Sequence, residues 1–392
     1  MPAKIDFTAL ASDYGTPFYL LNKKEAINRV HEIQKRFPKN AKLCYAIKAN
    51  AFLTDFLKNE DILFEVCSPG ELSICEKIGL NPDKIVFSGV VKILEDVKRA
   101  YDLKVNTITL ESKAHCEYLL EAAKGENQHE QAVILRLTGG NQFGMSQKDL
   151  AECISKIKQV PSIKIRGIHF FTGTQKKFKT ISEEIPFIED YCTRLQSEFA
   201  LENIEIEYGA GLPYDYFSGK DEKNNFSALE EFSKLIENSK FKYVIELGRY
   251  VASPCGKYVT KIVDVKSDEK NNYCLIDGGI NHINYFGQMM GMKVPPVTHI
   301  PQANAFSDAQ DYTIAGSLCT TADIVLRKLS LQAPAIGDLL VFGDIGAYSI
   351  TEGIYLFLSH PLPAVLCDDD GKITVLRKSE ETYKLNYQEK HI

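Results

Sequence analysis

The stretch KLCYAIKA, residues 42–49, is the first place where the fold can be read. Leu43, Tyr45, Ala46 and Ile47 make a short apolar run, and a single lysine, Lys48, is set into its end with Ala49-Asn50 following at once. Such a run, bounded by polar residues, reads as a buried strand. Seven more follow: ILFEVCS (62–68), KIVFSGV (84–90), TITLES (107–112), AVILRL (132–137), IKIRGIHFF (163–171), IEIEYGAG (204–211) and KYVIELGR (242–249). Segments of helical spacing lie between most of them. In KAHCEYLLEAAK (113–124), Ala114, Tyr118, Leu119 and Ala122 share one face, as do Phe226, Leu229, Phe232 and Leu235–Ile236 in FSALEEFSKLIENSK (226–240). Strand then helix, eight times over, predicts an α/β fold with a (β/α)8 barrel. A doubly wound sheet also alternates, but eight units of this size fit a closed barrel better.

After about residue 255 the pattern changes. KYVTKIVDVKSDEKNNYCLIDGG (257–279) reads as two strands around a polar turn, and GDLLVFGDIGAY (337–348) and KITVLRKS (372–379) add more. The early run TPFYLL (16–21) precedes the first barrel strand and reads as a strand of the same domain. The expected organisation is a barrel over 24–255 and a discontinuous β-rich domain of 1–23 and 256–392.

Composition excludes several classes. The chain has 392 residues, 44% hydrophobic and 25% charged, with a net charge of −6. Such a length favours two domains over one core, and mild acidity gives no reason to expect nucleic-acid or membrane partners. The N-terminal MPAKIDFTALASDYG lacks the basic and apolar regions of a signal peptide, and no apolar run is long enough to span a bilayer. Ten cysteines without CxxC pairs suit a reduced, cytoplasmic protein. Eight histidines without HExxH or similar spacing predict no metal site.

In a barrel of this kind the chemistry lies at the C-terminal strand ends, and phosphate often binds after strands seven and eight. Lys48 sits near the end of the first strand. The sixth runs into Thr172-Gly173-Thr174-Gln175, the seventh ends in Gly209-Ala210-Gly211, and the eighth in Glu246-Leu247-Gly248-Arg249. Small residues let backbone N–H groups approach an anion, and Arg249 supplies a charged fork. A lysine able to form a Schiff base, together with a phosphate cup, points to pyridoxal phosphate. Glu246 then reads as the carboxylate facing the pyridine nitrogen. That pairing makes a strong electron sink and favours decarboxylation over racemisation.

The chain resembles the barrel-type (fold type III) pyridoxal-phosphate decarboxylases of ornithine, diaminopimelate, arginine and related amino acids, whose barrel is of the alanine-racemase type. The resemblance is carried, in order over nearly the whole length, by YGTPFYLL, CYAIKAN, FEVCSPGEL, GIHFFTGTQ, YGAGLP, ELGR, GSLCTTAD and GAY. It implies that Lys48 carries the cofactor, with Glu65 and Glu71 at acidic positions near it. Thr174, Gly209, Gly211, Gly248, Arg249 and Tyr348 would hold the phosphate. Cys319 would protonate Cα after carbon dioxide leaves, contributed across a head-to-tail homodimer. Distal recognition would fall to Thr320, the Asn281–Phe286 loop and the partner subunit.

Three positions depart from the family pattern. Glu65 stands where members usually have aspartate. Phe171 stands where many place a histidine over the cofactor ring, while His169 remains two residues earlier near the substrate; phenylalanine can stack but cannot carry charge. Thr320, also counted among the substrate-contacting positions with Tyr348, stands where decarboxylases of basic substrates carry an acid. An uncharged hydroxyl cannot offset a desolvated ammonium, so a free dibasic amino acid is not expected. CTTAD and FLSHPLPAVL (357–366) resemble a branch that includes decarboxylases of carrier-protein-tethered glutamate and enzymes found in polysaccharide or natural-product gene clusters. The alternatives are a diaminopimelate- or ornithine-like diamino acid decarboxylase, a racemase-type enzyme, or a catalytically silent regulatory binder on the same scaffold; Lys48→Ala separates enzyme from binder.

Overall fold

In this computed structural model the described residues are 5–125, 128–217, 226–303 and 308–388; Met1–Lys4 of the N-terminal stretch lie outside them. The chain divides into two compact units. One comprises Asn28–Tyr214 and Asp221–Val251, the other Met1–Ile27, Asp215–Lys220 and Ala252–Ile392.

Chain order begins with β1 (Phe18–Asn22), a strand of the second unit. The barrel unit follows with β2 (Ala41–Ala46), β3 (Leu63–Val66), β4 (Ile85–Phe87), β5 (Thr107–Leu110), β6 (Gln131–Arg136), β7 (Ile163–Phe170), β8 (Glu205–Gly209) and β9 (Lys242–Leu247). All eight are parallel, pair in sequence order, and close through β9 onto β2. Each of the eight runs read from sequence supplies one strand. Cys44, Leu63, Val86 and Val244 form one buried apolar cluster among these strands.

The strands end earlier than their apolar runs, for a local reason. Beyond β2, Ile47–Ala49 coil into a 3-10 turn whose Ile47 carbonyl accepts from the Asn50 N–H at 3.0 Å. Lys48 therefore stands on a turn at the barrel mouth, off the strand itself. Beyond β3 and β5 a serine starts the return helix. The Ser68 hydroxyl accepts from Glu71 N–H, and that of Ser112 from His115 N–H, satisfying amides that the first helical turn leaves open.

The second unit is a nine-stranded sheet. It adds β10 (Gly256–Ser267), β11 (Asn272–Ile276), β12 (Val297–Ile300), β13 (Ala309–Ala315), β14 (Ile324–Gln332), β15 (Leu339–Phe342), β16 (Ala364–Asp369) and β17 (Lys372–Arg377). The order is β14-β13-β11-β10-β1-β16-β17, with β15 on β10 and β12 on β15. β1 lies antiparallel to β10 and parallel to β16, so a strand from near the N-terminus is central to a sheet otherwise built from the C-terminal part. Alternate residues Phe18 and Leu20 pack with Val259, Leu339, Val341 and Leu366. Among the described residues no helix is long and apolar enough to cross a membrane.

Candidate active site

Lys48 faces acid. Its Nζ donates to Glu65 Oε2 at 2.9 Å and Oε1 at 3.1 Å, and lies 3.6 Å from Cys67 Sγ. Glu65 is held by β3, directly beside Ala46 of β2. Glu71, in the first turn of the helix Pro69–Lys77, reaches back so that its Oε2 accepts the Cys67 N–H at 2.6 Å. Burial raises the Glu71 carboxyl above its ordinary value.

Two influences oppose each other at the Lys48 amine. Burial, the largest single influence, favours the neutral form. Glu65, Cys67 and Glu246 together outweigh it and raise the amine well above its ordinary value. The side chain also keeps 44% of its surface accessible, although acidic groups crowd the amine. Apolar neighbours on either side in sequence do not report what faces the amine across the barrel.

A second cluster fills the barrel between β7, β8 and β9. His169 pairs in register with Glu207, and Gly209 with Glu246. His169 Nε2 lies 3.2 Å from Glu246 Oε2, while Glu246 Oε1 accepts no bond from any described N–H or O–H donor. Burial pushes the Glu246 carboxyl up, but His169, the neighbouring Glu207 and Lys48 together hold it well below the usual carboxylate range. His169, Glu207 and Glu246 thus bring ligand-type atoms within 4.8 Å of one another, a grouping that residue spacing along the chain did not reveal.

The strand ends beyond these groups are tight. Gly211 has φ +56°, and a Cβ there would meet the Gly173 carbonyl and Lys176. A Cβ on Gly209 would collide with the Phe171 ring, and one on Gly248 would crowd Ala46 and Ala49. Thr174 follows β7, and Arg249, only 9% exposed, opens the short helix Arg249–Ala252 after β9. Lys176, buried beneath the Gly209–Gly211 turn, donates to Gly209 O at 2.9 Å, Glu184 Oε2 at 2.7 Å and Tyr208 Oη at 3.0 Å. These residues fit pyridoxal phosphate. Lys48 would offer the amine, the open Oε1 of Glu246 an acceptor for the ring nitrogen, and the glycine turns with Arg249 a seat for phosphate.

Several groups here had no part in the sequence reading. Arg136 ends β6 in a buried 2.7 Å ion pair with Glu111, and its guanidinium lies 5.9 Å from the Phe171 ring centre. Lys92 donates to the Ser88 and Gly89 carbonyls, and burial pushes it down to about 8. Glu207 is fully buried. An arginine closing an otherwise apolar strand, as in AVILRL, and a glutamate two residues before GAG are signals that could have marked Arg136 and Glu207.

Cys319, Thr320 and Tyr348 belong to the second unit. Cys319 is exposed, on the turn after β13. Asp323 organises that turn, accepting from Leu318 N–H at 2.7 Å and Ile280 N–H at 2.9 Å. Thr320 Oγ1 accepts from Ala322 N–H at 3.2 Å. Tyr348 adopts φ +66°, a left-handed conformation unusual for a bulky residue, and its carbonyl accepts from Thr351 and Glu352 N–H. Within the barrel unit, then, Lys48, Glu65, His169 and Glu246 come together, with Phe171, Thr174, Gly209, Gly211, Gly248 and Arg249 on the turns at the same strand ends.

A parallel barrel with an acid-clamped lysine at its mouth, a buried carboxylate open on one oxygen and glycine turns beside an arginine defines a class: enzymes that hold a phosphorylated carbonyl cofactor. Residues 23–253 match the family described as pyridoxal-dependent decarboxylase, pyridoxal binding domain, and the chain belongs to the pyridoxal-dependent decarboxylases. It is 25% identical over 400 residues to an L-glutamyl-[BtrI acyl-carrier protein] decarboxylase of Niallia circulans, covering 95% of this chain and 93% of that one. It is 28% identical over 413 residues to the diaminopimelate decarboxylase of Vibrio cholerae, covering 97% and 94%. The structure of Helicobacter pylori diaminopimelate decarboxylase complexed with L-lysine superposes with a TM-score of 0.83 at 20% identity, covering 97% and 98%, and shares the fold. The protein is a pyridoxal-phosphate-dependent carboxy-lyase acting on an α-amino acid.

Proposed function

We propose that the substrate is not a simple free dibasic amino acid but an acidic, modified or carrier-tethered one. The observation that carries this reading is Thr320, the residue beside Cys319, whose hydroxyl is neutral and already accepts the Ala322 N–H. An ammonium drawn out of water needs a compensating charge, and this position has none to offer. Similarity to a decarboxylase of carrier-tethered glutamate over 95% of the chain supports the same reading. Similarity to diaminopimelate decarboxylases is of the same order, so overall identity does not choose between them.

The geometry of the barrel site and the family resemblance support the following roles. Lys48 holds the cofactor, with Glu65 orienting the amine. Glu246 would face the ring nitrogen and Phe171 the ring, and the turns around Thr174, Gly209, Gly211 and Gly248 would receive the phosphate together with Arg249; Tyr348, in the second unit, keeps the phosphate role that the resemblance implies. His169 braces Glu246 and lines the substrate side. When bound, pyridoxal phosphate supplies an electron sink for the pair left on Cα as carbon dioxide departs. The Cys319 thiol delivers the proton that Cα then takes, and recovers one from solvent. Cys319 is exposed in the single chain, which supports a homodimer in which each copy completes the other's site. None of the ten cysteines is in a disulfide, which supports a reducing, cytoplasmic setting.

Carbon dioxide release from a panel of basic, acidic and neutral amino acids, with glutamate offered also as a carrier-protein thioester, tests the substrate class. Turnover confined to acidic, modified or tethered substrates is expected. Efficient turnover of free ornithine, lysine or diaminopimelate would overturn the reading from Thr320.

A further inference from the structure

Glu207 lies at the centre of the barrel, fully buried, and neither carboxylate oxygen accepts a bond from any described N–H or O–H donor. It sits on β8 beside His169 of β7, with their Cα positions in register. Five titratable or charged groups face it: Glu246 on β9, His169 and Arg166 on β7, Glu65 on β3 and Cys44 on β2. Three of these are acidic or can become so only at further cost, and Arg166 opposes the others only weakly. Two ionised carboxylates side by side in a dry interior repel one another, and neither can donate to the other. One proton shared between them removes both difficulties.

We propose that Glu207 is a neutral carboxylic acid whose proton is donated to the Glu246 carboxylate, making Glu207 the positioning residue that keeps Glu246 anionic and correctly turned. Glu246 is the partner that ends up ionised because His169 Nε2 lies 3.2 Å from its Oε2 and it also feels Lys48. Burial and the neighbouring Glu246 raise Glu207 well above the ordinary carboxyl value, in the same sense. Each carboxylate oxygen has two lone pairs, so a proton from Glu207 leaves Glu246 able to accept the ring nitrogen's hydrogen as well. The role of Glu207 rests on the proposed pairing of Glu246 with the cofactor ring; its protonation does not.

The test is infrared difference spectroscopy of the full-length, cofactor-loaded protein against Glu207→Gln at neutral pH, repeated after the cofactor is removed. The expected result is a protonated-carboxyl band in the wild-type protein, shifting in heavy water and absent from the variant. A difference spectrum with only ionised-carboxylate bands would overturn the proposal. So would a stoichiometric divalent metal lost on Glu207→Gln, since a cation among His169, Glu207 and Glu246 would require Glu207 ionised.

Kinetics test the positioning role. Glu207→Gln keeps a donor, and kcat is expected within about threefold of wild type. Glu207→Leu has none, and kcat is expected to fall about tenfold or more with KM nearly unchanged, accompanied by an altered pH dependence of the cofactor absorbance. Equal kinetics and spectra for Gln and Leu variants would overturn the positioning role. If Glu246→Gln is itself without effect on spectrum or turnover, the ring-pairing reading fails, while the infrared band still reports on Glu207 alone.

Discussion

Lys48 Nζ is 2.9 Å from one oxygen of Glu65 and 3.1 Å from the other, so a single carboxylate clamps the amine before any cofactor arrives. The neutral amine is the nucleophile, and the acids around Lys48 raise it well above its ordinary value. The neutral fraction at neutral pH is therefore small. Cofactor loading onto the stripped protein is expected to accelerate with pH, about tenfold per unit while the amine is mostly protonated. Glu65→Gln removes the chief charge that raises Lys48 and leaves burial, which lowers it, so the loading profile should move to lower pH. Stopped-flow absorbance against pH reads both; a flat wild-type profile, or a Glu65→Gln profile moved upward, would count against the clamp.

Gly211 is held at φ +56° with the Gly173 carbonyl and Lys176 where a Cβ would go. Gly211→Ala adds a left-handed penalty of about 1–2 kcal/mol and displaces the turn. Cofactor affinity, titrated by fluorescence, should fall about tenfold or more, with kcat at saturating cofactor much less affected.

Arg136 and Glu111 form a buried pair at 2.7 Å, with side chains 8% and 4% exposed. Removing one partner leaves an uncompensated charge, so Glu111→Ala should destabilise the protein by about 3–5 kcal/mol in denaturant unfolding. Replacement by Gln, which can still accept from the guanidinium, should cost less. Equal losses for both would show that packing, not charge, dominates at this site.

Asp323 accepts the backbone N–H groups of Leu318 and Ile280. In Asp323→Ala each is left to lose about 1–3 kcal/mol, and the turn bearing Cys319 loses its anchor. Turnover should fall together with stability. Asp323→Asn retains an acceptor and should recover part of both.

Thr320→Asp places a charge where an ammonium could meet it. The variant is expected to gain on lysine or ornithine and to lose on acidic substrates, read as the ratio of kcat/KM values between the two classes. No change in that ratio would remove Thr320 from the specificity argument.

The eight barrel strands were legible because strands buried on both faces read as near-continuous apolar runs. Their ends were less so: KLCYAIKA reads as one strand to Ala49, yet β2 stops at Ala46, because a 3-10 turn uses the same apolar residues. Lys48 and Glu246 stood out at the ends of apolar strands, which is a local signal, whereas Glu65 was placed only by the family resemblance. Glu207 did not stand out. In IEIEY it matches the alternation of a half-exposed strand, yet it is fully buried while Glu205 is not. The partner of Arg136 lies 25 positions away on the turn after a different strand, and the acids that set the charge of Lys48 come from β3 and β9. Pairings made by barrel closure leave no mark on local spacing.

The most direct test of the account is to reduce the cofactor-loaded protein with borohydride, which fixes the cofactor to whichever amine holds it, and to map the modified peptide by mass spectrometry. Among the described residues two buried amines compete in principle: Lys176, and Lys92, which burial pushes down to about 8. The expected result is modification of the peptide containing Lys48 alone, abolished by Lys48→Ala along with turnover. Label on Lys92 or Lys176 in the wild-type protein, or turnover surviving in Lys48→Ala, would contradict the assignment of the site.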